Sequence, residues 1–118
     1  MSVRRYEHDD VERIISALGV YVKQANEYKG YDCEDVPNLR WWLINNTRNS
    51  RMFGMIVSEP GKPELLGGLF YSLGKPVFSK HAVEADHMFH FYTNDQAREA
   101  LEGAFADWCA ERGVVNNG

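Results

Sequence analysis

The sequence lacks what would carry it into or across a membrane. No stretch approaches the roughly 18 consecutive apolar residues of a spanning helix, and no apolar signal-peptide core follows Met1. A soluble, unsecreted protein of the cytoplasm is expected. Cysteine is scarce: Cys33 and Cys109 stand far apart and form no CxxC pair, so free thiols are expected rather than a disulfide. Basic charge is short as well. Against 17 Asp and Glu there are 13 Lys and Arg, a net charge of −4, which denies the chain a general electrostatic grip on nucleic acid. Internal repeats, low-complexity tracts and linkers are all missing. What is present, 44% hydrophobic and 13% aromatic residues in 118, suffices for one domain with a real core.

The most informative stretch runs from Ala85 to Gly113. Met88, Phe89, Phe91 and Tyr92 give residues 85–92 the aromatic density of a buried strand. A tight polar turn follows at 93–95. Ala97, Leu101, Ala104, Phe105 and Trp108 then recur at three- and four-residue spacing, which predicts an amphipathic helix over 96–112. Thr93 with Gln96 fits a capping box, and Gly113 suits a left-handed C-cap. A strand running into a helix N-terminus is a natural anion site, so function is argued from this turn.

Earlier in the chain, residues 3–6 make a short strand. Asp9 and Glu12 mark a helix start, with Val11, Ile14, Ile15, Leu18, Val22 and Ala25 as its core stripe. Gly19 within that stripe predicts a kink or close packing. Residues 26–35 form a loop, and Tyr21, Tyr28 and Tyr31 pack the rim of the first helix. Pro37 opens a second helix to about Asn46 with Leu39, Trp42 and Leu43 inward. Trp41 makes a second core contact; the alternative is a partner-binding aromatic. Residues 52–58 and 65–73 form a hairpin around Glu59-Pro60-Gly61-Lys62. Gly67-Gly68 predicts a bulge or close backbone approach, and 74–83 is a surface excursion. The order β-α-α-β-β-β-α predicts an α+β domain over 1–118, with a mixed, mostly antiparallel sheet.

Three pieces of the chain carry a resemblance. They are Val3-Arg4-Arg5-Tyr6 with Asp9-Asp10-Val11-Glu12-Arg13-Ile14, the hairpin Met55-Ile56-Val57-Ser58-Glu59 with Leu66-Gly67-Gly68-Leu69, and Phe89-His90-Phe91-Tyr92 followed by the helix from Ala100 to Gly113. Together they resemble the GNAT (general N-acetyltransferase) superfamily. Residues 75–83 resemble a longer loop of small GNAT-like proteins encoded by tailed bacteriophages. The resemblance implies an acetyl-CoA diphosphate held after the strand by an R/Q-x-x-G-x-G/A loop, where glycine lets backbone N–H groups approach. The matching positions, Tyr92, Thr93, Gln96, Ala97 and Arg98, are the candidate cofactor contacts. That segment is shorter than the family's, contains no glycine, and has Asp95 and Glu99 where phosphates would sit.

The resemblance further implies a carboxylate base near the strand, for which Glu84 and Asp86 are the candidates. Only Val114-Val115-Asn116-Asn117-Gly118 follows Gly113. The family's C-terminal β-α-β, with its acid Tyr, is therefore expected to be missing, and the strand 85–92 to be an exposed edge. His81, His87 and His90 with Glu84 and Asp86 suggest a metal cluster. Strand alternation, however, sends His87 and His90 to opposite faces, so no metal is expected.

Two functions are in contention. The first is a catalytically inactive, truncated GNAT derivative, phage-encoded and acting in host takeover or virion assembly. It would bind no cofactor, nucleic acid or membrane, and would associate with a protein partner or a second copy through strand 85–92 and helix 96–112. The second is an acetyl-CoA-dependent N-acetyltransferase with an atypical loop, completed by dimerisation. A small-ligand module using the cleft beside the strand stands behind both.

Overall fold

The computed structural model describes residues 1–25, 36–74 and 84–116. Strand β1 (Ser2–Arg5) leads through a 3-10 turn (His8–Asp10) into helix α1 (Val11–Gln24), and helix α2 is Val36–Asn45. Strands β2 (Met52–Ser58), β3 (Leu65–Gly74) and β4 (Glu84–Tyr92) follow, then helix α3 (Asp95–Arg112) and a two-residue strand β5 (Val115–Asn116). The sheet runs in chain order from β1 to β5. Its first four strands pair antiparallel, and β5 lies parallel to β4. This is the α+β architecture expected from the sequence. Among the described residues no helix is long and apolar enough to cross a membrane.

Alternation along the strands sorts the apolar residues onto two faces. One face packs on α1 and α2 around Tyr6, Ile14, Leu43, Phe70 and Phe91; the other packs on α3 around Phe53, Val57, Leu69, Leu101 and Phe105. Each such fully buried side chain contributes roughly 1.5–3 kcal/mol. Tyr6 ties the layers together: its hydroxyl donates to the Leu43 carbonyl at 2.8 Å, and burial pushes its pKa up to about 12. The close approach expected at Gly67-Gly68 is present. A Cβ on Gly68 would lie 2.4 Å from the Phe91 ring, so only glycine lets that ring enter the core. Gly113 ends α3 at φ +62°, the left-handed cap expected of it.

Several expectations are corrected. Glu12 lies in the first turn of the first helix as expected, but Asp9 falls within the preceding 3-10 turn and Asp10 takes the N-cap position. Its carboxylate takes two bonds of 2.8 Å from Arg4, one of 2.6 Å from Arg13 and the Glu7 N–H at 2.8 Å. Gly19 does not pack closely, since a Cβ there would meet nothing within 4 Å. Trp41 is 63% exposed, because Leu43 and Trp42 already fill the inward face of α2. Strand β4 is only half-buried and is not wholly an edge: Glu84 and Ala85 pair with Val115 and Asn116. The loop at 26–35, with Tyr28, Tyr31 and Cys33, and the excursion at 75–83, with His81, lie outside the described residues.

Candidate functional site

The site begins with one extra residue in β4. In the β3–β4 ladder Phe70 faces Phe89 and Tyr71 faces His87, so Met88 is inserted between two consecutive pairs. An insertion of this kind reverses the phase of every residue beyond it. Phe89 and Phe91 turn to the α1–α2 core while His90 and Tyr92 turn toward α3, the face that Ala85 and His87 already occupy. Met88 itself is pushed outward, 43% exposed.

His87 and His90 therefore meet rather than part. His87 Nε2 lies 2.8 Å from His90 Nδ1, overturning the expectation from simple alternation. The pair joins two aromatic stacks. His90 stacks on Tyr92 at 4.7 Å and meets Tyr21 of α1 at 5.9 Å. On the other side His87 sets its edge on Tyr71 at 5.4 Å, and Tyr71 stacks on Phe105 of α3 at 3.9 Å. These rings floor a cleft of about 940 Å³ between β4 and α3. Arg98, Glu102, Ala106 and Cys109 line its α3 wall. Burial pushes the Cys109 thiol up from its ordinary pKa, which disfavours the nucleophilic thiolate. Among the described residues no three His, Cys, Asp or Glu side chains gather to hold a metal.

At the mouth of the cleft stands the start of α3. The capping box expected from Thr93 and Gln96 does not form. Asn94 is the N-cap, its side chain accepting the Ala97 N–H at 2.8 Å. Thr93 does not cap the helix, because it donates both its N–H (2.9 Å) and its hydroxyl (2.7 Å) to the Leu66 carbonyl. The exposed Asp95 carboxylate sits 3.3 Å from the Arg98 guanidinium.

A diphosphate needs donors it can approach and a turn free of negative charge. Here Asn94 already occupies the Ala97 N–H, Arg98 already has a carboxylate partner, and Asp95 adds a like charge costing about 1 kcal/mol at a solvated site. From Tyr92 to Arg98 every residue carries a Cβ. At this turn the Ala97 N–H and the Arg98 guanidinium thus already have partners from within the chain.

Of the candidate cofactor contacts, Tyr92, Thr93 and Arg98 line the cleft. Gln96 is exposed on the first turn, and Ala97 is buried against the sheet. The candidate bases Glu84 and Asp86 alternate with Ala85 and His87, which turns them away from the cleft. Sequence reasoning missed the histidine pair, Tyr21 and Glu102. A signal was there: strict alternation would put His87 in line with Phe89 and Phe91, leaving an imidazole in the apolar core, and a bulge resolves that conflict.

No protein-family model and no curated protein matches the chain. Solved structures do. A ribosomal-protein-alanine N-acetyltransferase from Brucella melitensis aligns with a TM-score of 0.71 at 15% identity, over 98% of this chain and 73% of that one. A predicted acetyltransferase from Clostridium acetobutylicum, solved with acetyl-CoA, aligns at 0.69 and 12% identity, over 99% and 80%. An aminoglycoside acetyltransferase from an uncultured soil metagenomic sample, in complex with trehalose, aligns at 0.65 and 14% identity, over 99% and 76%. The chain has the α+β fold of these acetyltransferases, a GNAT-like fold.

Proposed function

We propose that this chain uses the GNAT-like fold without acetyl-CoA, as a non-catalytic protein that binds another protein at the β4–α3 end of the sheet. The observation that carries this reading is the start of α3, where the Asn94 side chain takes the Ala97 N–H and Asp95 brings negative charge to a turn without glycine. The exposed Met88 at the bulge supplies an apolar anchor, and the aromatic cleft of mixed polar and apolar lining supplies hydrogen-bonding groups, a combination that protein partners use. Host takeover or virion assembly is the setting that the phage resemblance implies for such a role.

The test places a photo-cross-linking residue at Met88 and, separately, at Val20, which is 58% exposed on α1. A discrete adduct with one protein, or with a second copy of the chain, is expected from position 88 alone in the cells that make this protein. No adduct from position 88, or equal labelling from both positions, contradicts the reading.

A second reading, acetyl-CoA-dependent N-acetyl transfer completed by dimerisation, is favoured by the imidazole pair in the cleft, since imidazole is the commonest general base. It requires acetyl-CoA to bind despite the α3 turn, and a titration with acetyl-CoA separates the two.

A further inference from the structure

On the floor of the cleft two ring nitrogens of one strand, His87 Nε2 and His90 Nδ1, come within 2.8 Å of each other. They meet because the inserted Met88 turns both side chains to the same face. Each ring also rests on other aromatics, His87 against Tyr71, and His90 against Tyr92 and Tyr21. Their directions are therefore set before any ligand arrives. The two imidazoles are inclined at 58° rather than stacked, so the in-plane lone pairs of both can converge on a single ion.

We propose that His87 and His90 form a two-imidazole chelate for a divalent transition-metal ion of square, tetragonal preference, copper(II) ahead of nickel(II). With metal–nitrogen bonds of about 2.0 Å, donors 2.8 Å apart subtend about 90° at the ion, the angle between neighbouring corners of a square. A tetrahedral zinc site would hold its nitrogens roughly 3.3 Å apart. Imidazole suits all three ions, and the intrinsic order of affinity at such donors favours copper. The ion takes the place of the proton that the two nitrogens share. One ring changes tautomer, each then carries its N–H on the nitrogen away from the ion, and no proton is lost.

Among the described residues no third His, Cys, Asp or Glu gathers with the pair. The other positions on the ion are left to water and to a donor atom of whatever enters the cleft, which makes this an open site rather than a closed structural one. The inference goes beyond the protein-binding reading and stands on ring geometry whether or not that reading holds.

The experiment adds copper(II) to the full chain at about pH 7.5, where an ordinary imidazole is neutral. One equivalent binds in the micromolar range, and pulsed EPR of the wild-type complex shows two coupled imidazoles. His87→Phe and His90→Phe each keep a ring in place and weaken binding at least about tenfold, whereas His8→Gln, at an exposed position in the 3-10 turn, leaves it unchanged. On the wild-type chain, NMR signals of Tyr71 and Tyr92 broaden at substoichiometric copper before those of His8. The proposal is overturned by binding no tighter than millimolar, by fewer than two coupled imidazoles, or by affinity that survives either Phe variant. Broadening that begins at His8 overturns it as well, and that readout needs no variant to fold.

Discussion

Two helices in this chain begin beside an aspartate, and the two starts have opposite characters. At α1 the Asp10 side chain is 2% exposed and bonded by Arg4, Arg13 and a backbone N–H. At α3 the Asp95 side chain is 84% exposed and meets a single arginine at 3.3 Å. The first start is sealed and serves the fold. The second faces solvent at the mouth of a cleft, with the Asn94 side chain capping the Ala97 N–H. The difference teaches that an acid at a helix N-terminus can complete a packed core or remain a solvated charge, and burial decides which.

The largest effect expected from this comparison is at Asp10. Asp10→Ala removes a buried carboxylate that accepts from Arg4, Arg13 and the Glu7 N–H, and because the two arginines are 43% exposed and can be solvated, the expected cost is about 2 kcal/mol. Urea unfolding measures it, and a loss below about 1 kcal/mol breaks the contrast.

Acid titration sharpens it. Burial pushes the Asp10 carboxyl up, but the Arg4 hydrogen bonds, the Glu7 N–H and the charges of Arg4 and Arg13 outweigh burial and hold it below its ordinary 3.8. A depressed carboxyl stabilises the fold above the unfolded value and loses that contribution as pH falls through the folded one. Stability of the wild-type chain should therefore drop below about pH 4, and Asp10→Asn should flatten that limb of the curve. An unchanged acid limb in the variant places the acid sensitivity elsewhere.

Smaller effects belong to α3. Asn94→Ala removes the cap and is expected to cost about 1 kcal/mol in the same urea assay. Asp95→Asn, which breaks only a solvated pair, should change stability by less than about 0.5 kcal/mol. A larger loss at Asp95 than at Asn94 would reverse the assignment of cap and solvated charge.

The fold was largely legible in the sequence because its elements obey local periodicity. The α1 stripe of Val11, Ile14 and Leu18 and the α3 face of Ala97, Leu101 and Phe105 both point where the structure buries them. Gly67-Gly68 and Gly113 were readable because each answers a steric demand that only glycine meets. The site was less legible. His87 and His90 come together through one inserted residue, a register event that depends on β3 and not on β4 alone. The α3 cap fell to Asn94 rather than Thr93 because Thr93 is engaged by Leu66, distant in sequence. Trp41 was misplaced for a related reason: neighbouring tryptophans on one helix cannot both face a core that Leu43 already fills.

The account rests on α3 refusing a diphosphate, and calorimetric titration of the full chain with acetyl-CoA measures this directly. No heat of binding is predicted up to millimolar ligand. Saturable binding in the micromolar range would contradict the account and return the cleft to acetyl transfer.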